Sequence, residues 1–586
     1  MKILFFAPNS AIWGHAFPEA LIAEALMQQG HEIVYIGCGG LLDDYCISMS
    51  AHDIPFAADR EKKQRICRLC KKNKEIICEQ FGFAGFDLSD KYQAADLNSI
   101  EEIITSVTPE NCLELTLNSV EVGKIALYEI LLDSKKSNLD FSPSEWERYK
   151  SSLKNALLVF HIAQRMFNQI HPDRLVVYNA LYAVNRVFCR LAGLHGVPQY
   201  FLHAGGNLSK RIQTLILAKH NTVEFYRHML EKWKEFKEHP CPHVALKAVT
   251  DHFLEVFKGR SAWAYSVAAK GSSSDLKSFF GIDSVQKVIC ATLSSYDERF
   301  AAETVGVLTR VENLMFTKQV DWVKALIEYV ADRNDLALLI RVHPREFPNK
   351  RENMLSEHAK VLQEVFSKTP QNVRVNWPTD NISLYDLASI TDVFLNAWSS
   401  SGKEMALLGI PVVLYSSELV FYPSELNYVG TTEKEYFLKL EEALQAGWDS
   451  ERIRMTYRWC AMEYDYSLLD IGESFAKNDL QQRLPFFSRK FNKLLTFLKP
   501  CRQQMSDCKN RSQRLMAATN VNKIIHDQLH SILDIEIQYP FVSEEEETIG
   551  LKHEVHRLLC GLYSDPEAEA KSNALACKLL NFANSK

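Results

Sequence analysis

The segments LALLIRVHPRE (residues 336–346) and WPTDNISLYDLASITDVFLNAWSSSGKEMALLGIP (377–411) decide the fold of this chain. Three short apolar runs alternate there with helical segments: Leu336–Val342, Asp392–Ala397 and Val412–Tyr415. Continuous apolar runs of this length are typical of parallel strands that are buried on both faces. Such sheets bind ligands beyond the carboxyl ends of their strands. A site is therefore expected where the first two runs end, at His343 and just after Ala397.

Four small residues join the second run to a predicted helix, Lys403–Leu408: Ser399, Ser400, Ser401 and Gly402. Small residues at a helix start let an anion approach free backbone N–H groups, and the helix dipole favours the negative charge. The alternative is that one serine only caps the helix. Arg341 and Arg345 flank His343, and guanidinium groups suit phosphate oxygens. Together these residues predict an anion site.

Taken in order, the motifs R-x-H-P, D-x-x-S-x-x-D-L, D-V, S-S-x-G-x-E and L-G-x-P-V resemble the donor half of bacterial capsule-polysaccharide glycosyltransferases. In this chain they are Arg341, His343-Pro344, Asp380, Ser383, Asp386-Leu387, Asp392-Val393, Ser400-Ser401, Glu404 and Leu408-Gly409-Ile410-Pro411-Val412. That family includes Kdo transferases and is similar to sialyltransferases and teichoic-acid polymerases with an HP motif. The resemblance implies an α/β protein of the GT-B fold, in which two Rossmann-like domains hold a nucleotide-sugar on the C-terminal one.

The resemblance also assigns roles to residues of the second domain. Ser294 and Ser295, at the end of a predicted strand, resemble the family segment that contacts the donor phosphate. Glu404 corresponds to the acceptor for the ribose hydroxyls, and Asp380 belongs to the same nucleotide-sugar site. We find no D-x-D motif at a strand end in this half, so the chemistry requires no Mg²⁺, and we expect neither a metal nor a cofactor.

The N-terminus follows a strand–helix–strand pattern, with strands at Lys2–Ala7 and His31–Cys38 and a helix at Ala16–Gln29. Its motif resembles the opening of many GT-B glycosyltransferases, in some of which a histidine after the first strand is the catalytic base. His15 matches that position and is the first candidate for the base, and His203 is the second. The alternative is that His15 only lines the cleft or caps the helix.

Composition restricts the class of protein. The chain has 586 residues, a net charge of −6, 47% hydrophobic and 24% charged residues, which is typical of a multidomain globular protein and argues against a nucleic-acid binder. The first residues do not resemble a secretory signal and no apolar run is long enough to span a bilayer, so we expect a cytoplasmic protein, peripheral on the inner membrane at most.

Among the 14 cysteines, Cys67 and Cys70 form a C-x-x-C with Cys78, Cys38 and Cys46 nearby in sequence. Zinc or an iron–sulfur cluster is one interpretation. Buried thiols are favoured over it, because a second C-x-x-C is missing and residues 67–78 fit one helical segment.

The expected domains are an N-terminal Rossmann-like acceptor domain (1–210) with a helical insertion at about 59–170, a helical connection (211–284), a C-terminal Rossmann-like donor domain (285–481) and a helical tail (482–586). The basic amphipathic segment Phe486–Leu498 either touches an anionic membrane surface or, as we favour, packs across the domains. The tail, with its acidic run Glu544–Glu547, has no assigned role, and self-association is one option.

Three functions fit this sequence. The first is an inverting, metal-independent glycosyltransferase that moves a sugar from a nucleotide-sugar to a growing capsule or lipopolysaccharide-type glycan, with a glycan or lipid-linked acceptor. The second is a nucleotide-sugar 2-epimerase of the GT-B fold, and the third is a non-catalytic relative that binds sugar nucleotides. The long helical insertion suits a bulky acceptor and favours the first.

Overall fold

The computed structural model describes residues 1–260, 265, 267–270, 276–349, 353–475, 501–535 and 542–585. Its described residues build two sheets, each with helices on both faces. The strands of the first sheet are β1 Lys2–Phe6, β2 Glu32–Gly37, β3 Ala84–Asp87, β4 Arg174–Tyr178, β5 Gln199–Ala204, β6 Thr214–Lys219 and β13 Leu469–Asp470. Those of the second are β7 Lys287–Thr292, β8 Leu336–Arg341, β9 Val373–Asn376, β10 Val393–Asn396, β11 Val412–Leu414 and β12 Tyr428–Val429.

Both sheets have the strand order of a Rossmann-like domain. The first runs β3-β2-β1-β4-β5-β6-β13 and the second β9-β8-β7-β10-β11-β12. All pairs of the second sheet are parallel, and in the first the β5–β6 and β6–β13 pairs are antiparallel while the others are parallel. In each sheet the order in which strands are added reverses between two parallel neighbours, β1/β4 in the first and β7/β10 in the second, and such sheets bind ligands at this point. The expected α/β fold of GT-B type, with two Rossmann-like domains, is confirmed.

Both faces of each sheet are buried, because successive apolar side chains of a strand point to opposite faces and each face packs in its own cluster. On β1, Leu4 and Phe6 join one apolar cluster while Ile3 and Phe5 join another on the opposite face. The second sheet divides in the same way between two clusters. Burial of both faces leaves the strand ends as the places where polar side chains can reach solvent or a ligand.

The helices of the first domain and the connection are α1 Trp13–Gln28, α2 Ile47–Ala51, α3 Arg60–Phe81, α4 Ala94–Ser106, α5 Val122–Ile125, α6 Tyr128–Asp133, α7 Pro143–Ile170, α8 Ala183–Leu194, α9 Thr222–Phe236 and α10 His243–Phe257. Those of the second domain are α11 Leu276–Phe279, α12 Tyr296–Thr304, α13 Gln319–Val330, α14 Glu357–Val365, α15 Leu384–Ala388, α16 Ser401–Leu407, α17 Glu433–Ala446 and α18 Ser450–Ala461. The tail contributes α19 Arg502–Asn510, α20 Ala518–His526, α21 Glu544–Leu562, α22 Pro566–Glu569 and α23 Ala574–Asn584.

Three strands lie outside the expected sheet segments. The segment 59–170, expected to be a helical insertion, contains β3, whose sequence AGFD is half exposed at the sheet edge and has no apolar run. The connection 211–284 contains β6, which extends the first sheet. From the donor segment 285–481, β13 returns to pair with β6. β3 and β13 escaped prediction because short edge strands carry a weak hydrophobic signal. β6 is different, since its sequence TLILAK is a buried apolar run that was wrongly assigned to the helical connection.

The described part of the tail packs on the rest of the chain. Arg511, after α19, pairs with Glu24 of α1. Glu547, in the first turn of α21, is buried against Arg458 of α18, with a distance of 2.6 Å between the carboxylate and the guanidinium. The segment Phe486–Leu498 lies outside the described residues. Within those residues, the helices that are long enough to cross a bilayer are too polar to do so.

A buried polar junction holds the two domains together beside the cleft. Arg345, expected near phosphate, instead turns away and pairs with Asp297, with Nη2 2.8 Å from the carboxylate. The same guanidinium donates to the Leu132 carbonyl of the first domain at 2.8 Å. In return Lys135 donates to the carbonyls of Arg345 and Met354 at 2.5 and 2.9 Å. Coulombic attraction to Glu298 and Asp297 outweighs the effect of burial and raises the pKa of Arg345, so it stays charged.

Replacing Arg345 by Met should destabilise the protein by about 3–5 kcal/mol, because it leaves the Asp297 carboxylate buried without its cation. The matched control is Arg333→Met, since Arg333 pairs with Glu441 at a half-exposed position and should contribute about 1 kcal/mol or less. Urea unfolding of both variants measures the difference. If both variants lose the same free energy of unfolding, the junction is not the main link between the domains.

Candidate functional site

A cavity of about 500 Å³ opens between the two domains at the carboxyl ends of β7, β8 and β10. Six of the predicted site residues line it: Arg341, His343, Ser399, Ser400, Ser401 and Glu404. A neighbouring cavity of about 410 Å³ shares three of these residues and adds Ser294 and Ser295. The strand order therefore brings residues from three separate parts of the sequence together at one hollow, as expected for the reversal point between β7 and β10.

The serine loop is built around the amide of Asn396, the last residue of β10. Its Nδ2 donates to the Ser399 carbonyl at 2.8 Å, and its Oδ1 accepts from the Ser399 amide at 3.2 Å and from the Ser401 hydroxyl at 3.3 Å. The Ser401 amide in turn donates to the Ser399 hydroxyl. The expectation that these backbone N–H groups are available to bind an anion is therefore wrong for Ser399 and Ser401, because both amides donate hydrogen bonds to side chains within the loop.

Gly402 does not line the cavity but allows the loop to pack. A Cβ atom at this position would overlap the Tyr422 hydroxyl and lie 2.5 Å from Asn396 Nδ2. Those two groups are themselves hydrogen-bonded at 2.9 Å. Glycine is required because the first turn of α16 approaches the buried amide so closely.

Arg341 ends β8 with its guanidinium held in place. One nitrogen donates to Asn376 Oδ1 at 2.6 Å and to the Ile382 carbonyl at 2.9 Å. Burial lowers the pKa of Arg341, while nearby acids such as Asp386 oppose the shift, and a guanidinium stays charged in proteins. Asp380 accepts from Asn376 at 3.0 Å, so it positions Arg341 through Asn376 and does not line the cavity.

His343 has a defined hydrogen-bonding direction. Its Nδ1 accepts from the Arg345 amide at 3.2 Å, so in the neutral ring the proton sits on Nε2. Because His343 lines both cavities, the imidazole is suited to donate to an anionic oxygen in the cleft.

The Glu404 carboxylate faces the cavity one turn into α16. It accepts from the Tyr385 hydroxyl and from the Ser400 hydroxyl, both at 2.7 Å. A carboxylate has about four acceptor positions, so about two remain for hydroxyl groups of a ligand.

A buried ion pair between Lys403 and Glu463 lines the same cavity and was not predicted. Glu463 also accepts from the Tyr226 hydroxyl at 3.3 Å. Burial alone would lower the pKa of Lys403, but the attraction of Glu463 raises it, so the ammonium is charged. Arg211, just before β6, lines the same cavity. Glu463 lies 60 residues after Lys403, and no local signal links them.

His15 and His203 lie at the carboxyl edge of the first sheet and do not line the 500 Å³ cavity. The His15 ring stacks on Tyr178 at 4.1 Å, and burial, with His203 nearby, lowers its pKa to about 4. His203 donates from Nδ1 to the Ala204 carbonyl at 3.0 Å. The two histidines are therefore neighbours, and His15 is neutral at physiological pH.

Glu129 of α6 is a buried carboxylate that the sequence analysis missed. One oxygen accepts from the Ala183 amide at 2.7 Å, and the other is buried beside a small cavity with no hydrogen-bond partner among the residues that the structure describes. That cavity includes Asn9, just past β1, and Ala183, just past β4, which places it at the reversal point of the first sheet. Burial raises the pKa of Glu129 to about 7.

No family model and no curated protein matches the chain. Among solved structures, UDP-GlcNAc 2-epimerase from Neisseria meningitidis bound to UDP-GlcNAc is 12% identical, over 79% of this chain and 97% of that one, with a TM-score of 0.24. The UDP-GlcNAc 2-epimerase from Methanocaldococcus jannaschii is 13% identical, over 78% and 98%, with a TM-score of 0.26. A β-Kdo 2,4-transferase from Thermosulfurimonas dismutans is 12% identical, over 50% and 80%, with a TM-score of 0.29. Because these sequence identities and TM-scores are low, the activity has to be inferred from the residues of the cleft.

Gly402→Ala should displace the serine loop, because the added methyl group overlaps the Tyr422 hydroxyl. We expect it to lower the thermal midpoint by several degrees, which corresponds to about 1–3 kcal/mol for overpacking. Tyr422→Phe removes the overlapping oxygen, so the double variant should regain part of the loss. Gly193→Ala, in α8, is the control for steric overlap, since its backbone does not have a positive φ and no described atom lies within 4 Å of a Cβ there. No recovery in the double variant would contradict the packing role of Gly402.

Proposed function

We propose that the protein is a glycosyltransferase that moves a sugar from a nucleotide-sugar donor to an acceptor hydroxyl. The observation that carries the proposal is the convergence of Arg341, His343, the Ser400 hydroxyl and Glu404 on one cavity between two Rossmann-like domains. Cationic and hydroxyl donors suit phosphate, and a carboxylate suits the ribose hydroxyls. The acceptor belongs to a capsule or lipopolysaccharide-type glycan, as the resemblance of the motifs implies.

In the proposed reaction, the bond between the sugar and the nucleotide phosphate breaks through a transition state with oxocarbenium character. Negative charge grows on the leaving phosphate. Arg341 and His343 are fixed by hydrogen bonds before any ligand binds, so they stabilise that charge with little reorganisation. Ser294 and Ser295, in the adjoining cavity, extend the polar wall around the phosphate.

The acceptor hydroxyl must lose its proton to a general base on the first domain. A base works best when its pKa lies near the operating pH. Glu129, with a pKa raised to about 7 by burial, meets this condition better than His15, whose pKa is lowered to about 4. The preceding residue, Tyr128, lines the 410 Å³ cavity, so α6 borders the cleft. Glu129 is therefore proposed as the base, ahead of His15 and His203.

Donor binding can be tested with CMP, CDP and UDP by calorimetry. His343→Ala and Ser400→Ala should each weaken binding of the tightest-binding nucleotide about 10-fold or more. His343→Ala removes a donor to a charged oxygen of the ligand, and Ser400→Ala removes the hydroxyl that holds Glu404 in place. His526→Ala and Ser424→Ala, both outside the cleft, serve as controls. Wild-type affinity in both site variants would overturn the site.

The pH dependence of nucleotide release from a panel of nucleotide-sugars tests the base. With Glu129, the rate should rise between about pH 6 and 8 as the carboxylate ionises, and Glu129→Gln should lower it about 100-fold or more. If His15 is the base, the rate should not change over this range, because His15 is already neutral, and His15→Ala should abolish the rate instead.

The same assay separates the alternative functions. A free monosaccharide released without an acceptor would favour the 2-epimerase, and nucleotide-sugar binding without turnover would favour the non-catalytic relative.

A further inference from the structure

Two histidines and one glutamate meet where the tail packs on the helical connection. His243 is the first residue of α10, and His553 and Glu554 are neighbours in the middle of α21. Glu554 Oε1 lies 2.7 Å from His243 Nε2 and 3.0 Å from His553 Nδ1, and the two ring nitrogens are 3.2 Å apart. Among the residues that the structure describes, these form the one group of three His, Cys, Asp or Glu side chains whose ligand atoms all lie within 4.8 Å of one another. Two imidazole nitrogens and a carboxylate oxygen are a donor set that suits a transition metal.

Gly550 allows α21 to approach α10 closely enough to form this group. A Cβ atom at Gly550 would lie 3.2 Å from Leu246 Cδ1 and 3.4 Å from His243 Cβ. Residues three and four positions apart on a helix share a face, so His553 and Glu554 are presented to α10 together with this glycine. The group could not be expected from the sequence, because the two histidines are 310 residues apart.

Protons alone do not satisfy these three atoms. If both facing ring nitrogens carry hydrogen, both donate to Glu554 Oε1, but the two N–H groups then crowd each other across 3.2 Å. If only one of them carries hydrogen, the lone pair of the other faces the carboxylate oxygen. A metal ion removes both conflicts, because it accepts a lone pair from each of the three atoms.

The spacing of the three atoms fits a zinc ion. Zinc binds imidazole nitrogen and carboxylate oxygen at about 2.0–2.2 Å, which places the ligand atoms of a tetrahedral ion about 3.3 Å apart. The observed distances of 2.7 to 3.2 Å reach this value when the side chains separate by about 0.6 Å or less. The side chains of His243 and His553 are 51% and 60% exposed, so they have room for this movement and leave the fourth position to water.

Arg557 holds Glu554 in the orientation that coordination requires. Its Nη1 donates to Glu554 Oε2 at 2.6 Å, which leaves Oε1 to face the two imidazoles. Its Nη2 donates to Asp251 Oδ1 of α10 at 2.6 Å, and this second carboxylate balances the guanidinium charge beside the site. Hydrogen bonds of this kind orient the ligating groups of metal sites.

We propose that His243, His553 and Glu554 bind Zn²⁺, and that the ion fastens the tail to the helix that borders the cleft. α10 also carries His252 and Val256, which line the 500 Å³ cavity. His252 follows His243 at a distance of roughly 13 Å along the helix, so the ion acts on the position of α10 and does not touch a ligand in the cleft. The ion takes no part in the proposed glycosyl transfer, which stays metal-independent.

The test is calorimetric titration of the full-length protein with Zn²⁺ after EDTA has removed bound metal. We expect one zinc ion per chain with a Kd of about 1 μM or lower, and a thermal midpoint that rises by a few degrees with zinc. His243→Ala and His553→Ala should each weaken zinc binding about 100-fold or more, because each removes one of three ligands. Both side chains are more than half exposed, so both variants should fold.

Two control variants separate this site from other zinc ligands of the chain. His526→Ala removes a histidine that also pairs with a carboxylate, Asp527, at 2.7 Å, but lies outside the group. Cys67→Ser/Cys70→Ser removes the C-x-x-C pair, whose free thiols are competing zinc ligands. Both controls should bind zinc as tightly as the wild-type protein does.

Unchanged zinc affinity in either variant of His243 or His553 would overturn the proposal, and so would a loss of binding in either control. Wild-type protein that binds less than one zinc ion per chain would also overturn it, and that measurement does not depend on the folding of any variant. Because none of these measurements uses glycosyl transfer, the result is independent of the proposed function.

Discussion

The buried side-chain amide of Asn396 is the interaction on which the cleft depends. It is fully buried at the end of β10 and contacts Ser399, Ser401 and Tyr422. Because an amide has both donors and acceptors, one side chain satisfies the backbone of Ser399 and the buried hydroxyl of Ser401 at once. The loop then needs no rearrangement to present the Ser400 hydroxyl. Preorganisation of this kind is what electrostatic stabilisation of a leaving group requires.

Buried charges divide into those that hold the domains together and those that face the cleft. Arg345 pairs with Asp297 within the junction, whereas Lys403 pairs with Glu463 at the cavity wall. The second pair joins α16, which carries the serine loop, to the segment that returns to the first domain. A ligand that binds Lys403 would therefore act on an ion pair that also holds the segment connecting the domains.

The parallel sheets and the carboxyl ends of the strands in the second sheet could be predicted. Apolar runs such as Leu336–Val342 indicate buried strands, and the residues that follow parallel strands must lie at the same edge of the sheet. Contacts between distant segments could not. Arg345 was expected beside phosphate because its neighbours Arg341 and His343 face the cleft, but a 3₁₀ turn at Pro344–Glu346 turns it towards Asp297. The burial of Glu129 likewise depends on packing that no local pattern reveals.

The return of the chain to the first sheet has a consequence for how the molecule can be divided. β6 would be an open edge if the polypeptide stopped after the connection, but β13 pairs with it, and the Lys219 amide at its end donates to the His530 carbonyl of the tail at 2.8 Å. Unpaired edges invite association with other chains. A fragment that ends before residue 469 would therefore expose β6 as an unpaired edge that is prone to aggregation. The first domain needs residues from the second half of the chain to cover this edge.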